Sequence, residues 1–277
     1  MVTILDGPLG TELAARGVPT PGPAWSARAI LDAPEVIAAI HRDYAAAGAT
    51  VHTANTFRTK ARQVGAAWEE LAHRAVALAR ASVPSAHRVA GSIAPLEDCY
   101  RPDLSPHDPR PEHRALARAL AAASVDILLC ETFPHVGEAL IAVEEAVATG
   151  LPVWVSFTAG PDGTLLTPEA IAAGAREAVR RGAGAVLVNC TAATRILPYV
   201  ERLADAGVTF GAYANAGDPA EGIGWTEHGD VARYAALAER WAACGATILG
   251  GCCGTGPAHM AALAARFPPL SLHSAGA

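Results

Sequence analysis

The sequence predicts a single (β/α)8 barrel over residues 1–277. Three observations carry that expectation. Short β-branched runs alternate with Ala/Leu-rich helical stretches from end to end. The β-branched runs are apolar on both faces, as in Ile127-Leu128-Leu129 and Val186-Leu187-Val188, which parallel strands sandwiched between other layers require. No linker-like segment divides the chain, so eight repeating units favour one closed barrel over a doubly wound open sheet.

The expected strands are Val2–Leu5, Thr50–Ala54, Arg88–Ile93, Val125–Cys130, Val153–Phe157, Ala185–Asn189, Thr209–Tyr213 and Thr247–Gly250. The clearest helix runs from Pro34 towards Gly48, with Val36, Ile37, Ile40 and Tyr44 on one face and proline suited to the first turn. Gly48, Gly182 and Gly245 each follow a helical stretch and precede a strand, where glycine tolerates the left-handed conformation that ends a helix. The proline-rich segment from Ser92 to Pro111 is either a lid over the strand ends or a rigid surface loop.

Composition narrows the function. The chain is 51 % hydrophobic and 17 % charged, which is the balance of a packed globular protein. A net charge of −6 disfavours nucleic acid, whose phosphates need a basic face. No apolar run reaches the roughly 18 residues of a membrane span, and Met1–Asp6 carries no basic or long apolar signal segment. A cytoplasmic location is therefore expected, with the six cysteines as thiols or metal ligands and not a disulfide framework.

In this fold the chemistry sits where strands end. Asp6-Gly7 closes the first expected strand, Asn55-Thr56-Phe57 the second, Glu131-Thr132-Phe133 the fourth, Asn189-Cys190 the sixth, Tyr213-Ala214-Asn215 the seventh and Gly250-Gly251-Cys252-Cys253-Gly254-Thr255 the eighth. Adjacent cysteines on a regular strand point to opposite faces, so Cys252 and Cys253 converge only if the strand stops and the flanking glycines bend. Cys190 would then add a third thiolate, leaving one tetrahedral position of a zinc ion open. A vicinal disulfide, two inert thiols and a phosphate-binding glycine loop are the competing readings, and Cys190 alone reads as a core cysteine. Cys99, Cys130 and Cys244 read as structural, and His52 as a core histidine. Glu131 is a costly carboxylate unless it faces a polar site, as a base, an ammonium clamp or a rim hydrogen bond; Asp6 is similar.

Taken together, Asp6-Gly7-Pro8-Leu9-Gly10-Thr11-Glu12-Leu13, Ala54-Asn55-Thr56-Phe57, Glu131-Thr132-Phe133, Asn189-Cys190, Tyr213-Ala214-Asn215-Ala216-Gly217 and the Cys252-Cys253 doublet with its glycines resemble the homocysteine S-methyltransferase family, from about Asp6 to Phe267. Trp25-Ser26-Ala27-Arg28 before Pro34-Glu35-Val36-Ile37 is similar to members that use S-methylmethionine. The resemblance implies Zn2+ on Cys190, Cys252 and Cys253, substrate ammonium on Glu131 and Asp6, and substrate carboxylate on backbone near Gly7. Asn215 is implied as a weak ligand to the open position. Leu187, Ala214 and Gly256 depart from the family's glycine, proline and threonine, and bear on the donor pocket.

The expected reaction moves a methyl group from a small cationic donor to the homocysteine thiol: S-methylmethionine first, then S-adenosylmethionine or a betaine-like ammonium. One barrel fills the 277 residues, leaving no second domain for cobalamin or folate. Trp25, Tyr213 and Trp225 are candidate aromatic partners of the cation. The rivals are a phosphate-substrate barrel enzyme and a non-catalytic zinc or redox-sensing thiol protein. A Schiff-base aldolase needs a lysine on a strand, and Lys60, the sole lysine, lies beyond the Asn55-Thr56-Phe57 turn.

Overall fold

The structure, a computed structural model, describes residues 1–217 and 229–268. Eight strands form: β1 Thr3–Ile4, β2 Val51–Ala54, β3 Arg88–Ile93, β4 Ile127–Phe133, β5 Val153–Phe157, β6 Ala185–Ala192, β7 Phe210–Asn215 and β8 Ile248–Gly251. Each sheet pairing is parallel, in the order β1-β8-β7-β6-β5-β4-β3-β2. The bridge Leu5↔Val51 joins the two ends, and the sheet becomes the barrel the alternation predicted.

The two faces of each strand serve two cores. Leu5, Val51, Ala90, Ile127, Leu129, Ala185, Leu187 and Ile248 fill the barrel interior. Their neighbours Val89, Leu128, Val186, Val188 and Leu249 face the surrounding helices. Both sets lose their water, which explains why alternation was absent from the strand sequences. Leu187, one of the departures from the family pattern, belongs to the interior filling, not to the cavity wall.

The helix Pro34–Ala46 buries Ile37, Ile40, His41 and Tyr44, while Val36 is partly buried. Gly48, Gly182 and Gly245 take φ of 97°, 104° and 104°, the left-handed values expected after a helix end. Thr167 and Asp230 cap the helices Pro168–Arg180 and Val231–Ala243 by accepting backbone N–H bonds. Among the described residues no helix is long and apolar enough to cross a membrane.

The segment after β3 is tied to the neighbouring helix by hydrogen bonds. Glu138, on the helix Val136–Val147, accepts from Leu96 N at 2.8 Å, Ser105 Oγ at 2.7 Å and pairs with His113 Nε2 at 3.1 Å. Three partners from both ends of the loop fix its path.

A histidine stack lies between β2 and the helix Pro34–Ala46. His52 is wholly buried, as a core histidine should be, with Nε2 3.1 Å from His87 Nδ1. The His41 ring is also fully buried, and both its nitrogens lack a partner. Burial, with help from the neighbouring rings, pulls His41 down to about 3 and His52 to about 4. These groups are neutral in the fold but protonate near pH 6.5 when unfolded, so their stabilising effect is complete above that pH and is lost as pH falls toward the folded values. Asp6 and Glu131, raised by burial, oppose the trend, so the readout is a difference. Between pH 6.5 and 4, wild type should lose about 1 kcal/mol per pH unit relative to His41→Met in urea unfolding. Parallel pH profiles would refute the assignment.

Candidate functional site

The strand ends open into one cavity of about 660 Å3. Asp6, Thr53, Glu131 and Tyr213 line it together with Cys190, Cys252 and Cys253, and Trp25, Phe57, Arg58, Cys99 and Tyr100 complete the wall.

Regular pleating would not bring Thr132 and Cys190 here, because Leu128 and Cys130 of β4 and Val186 and Val188 of β6 face the helices. Along β4 the three steps from Cys130 to Phe133 oppose two along β5, and along β6 the three steps from Asn189 to Ala192 oppose two along β7. Each strand therefore carries one extra residue, a bulge that re-aims side chains. Thr132 and Cys190 take positive φ of 64° and 49°, rare for residues with a Cβ and costing about 1–3 kcal/mol each. Hydrogen bonds hold the arrangement. Asn189 Nδ2 donates to Thr132 Oγ1 at 2.8 Å, and Ser156 Oγ donates to Asn189 Oδ1 at 2.7 Å. Asn189 Nδ2 also lies 3.5 Å from Cys190 Sγ. Asn189 thus ties the two bulges together.

Cys252 and Cys253 follow directly after β8, so the strand does stop where the doublet begins. The flanking glycines act differently from expectation. Gly254 alone of the three has positive φ, 77°. A Cβ on Gly250 would lie 2.8 Å from Leu5 Cβ, and one on Gly251 2.1 Å from Thr255 Oγ1, so these two positions are glycine because the space is taken. Thr255 Oγ1 donates to Cys252 O at 2.8 Å and closes the turn.

The sulfurs of Cys190, Cys252 and Cys253 lie within 4.8 Å of one another. Cys190 and Cys252 are paired as a disulfide, with Cα atoms 5.7 Å apart, and Cys253 keeps its thiol. The sequence reading expected three separate thiolates, and the pairing is where the structure differs. Sulfurs so close share either a bond or a cation. Burial pushes the Cys253 thiol up to about 12, so without a neighbouring positive charge it stays protonated. As reduced thiols these donors suit a thiophilic divalent ion such as Zn2+, with three protein ligands and an open position. Asn215, at the end of β7, is buried with both side-chain amide atoms unpartnered among the described residues, and Ala216 N donates to Cys253 O at 2.9 Å beside it. Unsatisfied groups of this kind are uncommon in the absence of a ligand.

The carboxylates form a second feature. Asp6 accepts from Thr53 N at 2.8 Å and Thr53 Oγ1 at 3.1 Å. Glu131 accepts from Ser92 Oγ and, at 3.0 Å, from Tyr213 Oη. Burial raises both above the usual carboxylate range, and the Glu131 charge pushes Asp6 up further. Two such groups call for a cation between strands and oppose a phosphate at the same mouth. Gly7 borders the cavity where a Cβ would lie 2.5 Å from Tyr44 Oη, leaving its backbone open to approach.

Tyr213 serves Glu131, whereas Trp25 meets Phe57 edge-on at 6.2 Å on the wall. Trp225 lies outside the described residues. Ala214 N donates to Tyr234 Oη at 3.1 Å, a bond proline would forgo. Lys60 is buried behind the wall residue Phe57, with Nζ 5.8 Å from that ring, and donates to Pro95 O without lining the cavity. Cys130 faces the helices and Cys244 packs against them, both structural. Cys99, also read as structural, lines the cavity. Sequence reasoning also missed Ser92, Thr53 and Arg58. A serine inside the apolar β3 run was a usable signal, while the other two depend on register and loop path.

The family model described as "Homocysteine S-methyltransferase" matches residues 3–267. A homocysteine S-methyltransferase of Escherichia coli (strain K12) is 34 % identical, with 96 % of this chain and 95 % of that protein covered. An S-methylmethionine–homocysteine S-methyltransferase of Rattus norvegicus is 28 % identical, over 97 % of this chain and 79 % of that protein. The metallated form of the Escherichia coli homocysteine methyltransferase superposes with a TM-score of 0.78 at 28 % identity, covering 96 % of each chain. Its oxidized form gives a TM-score of 0.76 at 29 % identity, again over 96 % of each chain.

Gly251→Ala should force Thr255 aside and open the Cys252 turn, costing about 1–3 kcal/mol and several degrees in Tm by thermal unfolding. An unchanged Tm would show that the turn yields freely.

Proposed function

The chain belongs to the homocysteine S-methyltransferase family, and from that premise we propose that it transfers a methyl group from S-methylmethionine to homocysteine at a Zn2+ site. The observation that carries this reading is the convergence of three cysteine sulfurs within 4.8 Å beside two buried carboxylates. Cys190, Cys252 and Cys253 in their reduced form would hold the ion. When bound, Zn2+ supplies the charge that keeps a substrate thiol deprotonated and nucleophilic at neutral pH.

The remaining work falls to the chain. Asp6 and Glu131 receive the acceptor's ammonium, whose positive charge lowers both raised carboxyl groups and keeps them ionised. Thr53, Ser92 and Tyr213 fix the two carboxylates by donating to them. Backbone beside Gly7 takes the acceptor's carboxylate, and Asn215 offers an amide to whatever shares the sulfur site. In the transfer, a sulfur–methyl bond forms on the acceptor as the donor's sulfur–methyl bond breaks. The electron pair stays with the departing sulfur, which becomes a neutral thioether, so no general acid is needed. The acceptor's thiol proton goes to solvent. Alignment of the two sulfurs and the methyl group is the main catalytic contribution of the cavity.

The relative in Rattus norvegicus, named for S-methylmethionine, supports that donor ahead of S-adenosylmethionine and betaine. A cytoplasmic setting accords with reduced thiols.

The test is zinc content and methyl transfer under reducing conditions. We expect about one zinc per wild-type chain, sharply less in Cys190→Ser, Cys252→Ser and Cys253→Ser, and methionine formation that follows the metal. Zinc indifferent to Cys190, or full activity without metal, overturns the reading. Glu131→Gln should raise the KM for homocysteine by roughly 10- to 100-fold, as loss of a charged hydrogen bond implies, and an unchanged KM would remove Glu131 from acceptor binding.

A further inference from the structure

Arg58 is the one basic side chain among the described residues that line the cavity. It follows the Asn55-Thr56-Phe57 turn beyond β2, and its guanidinium carbon lies 5.3 Å from the Phe57 ring centroid. Its Nε is buried without a hydrogen-bond partner, and no ion pair to Arg58 occurs among the described residues. Of the two acids nearby, one is paired elsewhere and the other, Asp98, lines the cavity with one oxygen bonded to backbone. Glu97 pairs with Arg62, and Asp98 Oδ1 accepts from Tyr100 N at 2.8 Å. Asp98, Cys99 and Tyr100 line the same cavity as Arg58, and Tyr100 packs against the interior cluster that contains the three site cysteines.

A buried guanidinium donor without a partner is costly, and its planar fork matches a carboxylate. Asp6 and Glu131 give the cavity a negative region suited to ammonium, whereas Arg58 gives it a positive one on the wall. The donor's reacting centre is itself cationic and would be repelled by Arg58. A donor accepted here must therefore carry an anionic group at the end away from its methyl-bearing sulfur.

We propose that Arg58 is a specificity-determining residue that binds the carboxylate of the methyl donor, restricting donors to onium compounds that are also carboxylates. The inference rests on the proposed methyl transfer for the identity of the donor, but not for the existence of the anion site. Phe57 holds the guanidinium by cation–π contact, and Asp98, Cys99 and Tyr100 of the loop after β3 line the same cavity.

The experiment compares S-methylmethionine with its carboxamide, which keeps the sulfonium and removes the negative charge. Both are titrated calorimetrically into wild type, Arg58→Gln and Arg58→Lys, and steady-state constants are measured with homocysteine. Arg58→Gln should weaken S-methylmethionine about 10- to 100-fold, leave the carboxamide within about 2-fold, and leave the KM for homocysteine within about 2-fold. Arg58→Lys should fall between, since it keeps charge without the fork. Equal losses for the two compounds would show a structural role and overturn the inference. So would a loss confined to homocysteine, or an absence of S-methylmethionine binding to wild type. Arg58-dependent binding with no methyl reaching homocysteine would sink the proposed reaction while leaving the anion site intact.

Discussion

In a parallel barrel each strand sends alternate residues inward, so a mouth built only from regular strands offers one inward side chain in two. The site depends on breaking that alternation at β4 and β6. The extra residue in each strand delivers Thr132 and Cys190 to the cavity beside Glu131, and the positive φ of Thr132 and Cys190 is the cost. Asn189 makes the arrangement a unit by donating to Thr132 while Ser156 holds its carbonyl oxygen. Strained backbone persists where its surroundings over-determine it, and here strands β4, β5 and β6 all contribute to that constraint.

Once the bulges are set, the mouth gathers groups that are unfavourable without partners. Among the described residues three sulfurs crowd together, two carboxyl groups are raised by burial, Asn215 has both amide atoms unpartnered, and Arg58 Nε is buried alone. Each costs stability when left without a partner. The surrounding barrel tolerates this because its own two cores are apolar and densely filled. Stability and chemistry are thus divided between the lower interior and the strand ends, as the fold permits.

Much of this was legible before the structure. The strands β3 and β5 fall on the expected residues, and β4, β6 and β7 run two or three residues further because polar ends such as Glu131-Thr132 and Asn189-Cys190 do not look like strand. Bulges leave no local mark in a run that contains neither proline nor glycine. The glycines beside Cys252 were readable as special, but the reason, lack of room next to Leu5 and Thr255, depends on neighbours distant in sequence. Cys99 and Arg58 were hidden because a loop's path over the barrel is set by remote ties such as those to Glu138, not by its own composition.

The sequence by itself determined the alternation of strand and helix, the closed parallel architecture, and the residue types waiting at the strand ends, because periodicity and strand-end position are local properties of a chain. Only the tertiary structure decided which of them meet. Cys190 and Cys252 are 62 residues apart, Asp6 is anchored by Thr53, and Glu131 by Tyr213, and these pairings follow from register and barrel closure. Register is a relation between strands, and no single segment carries it.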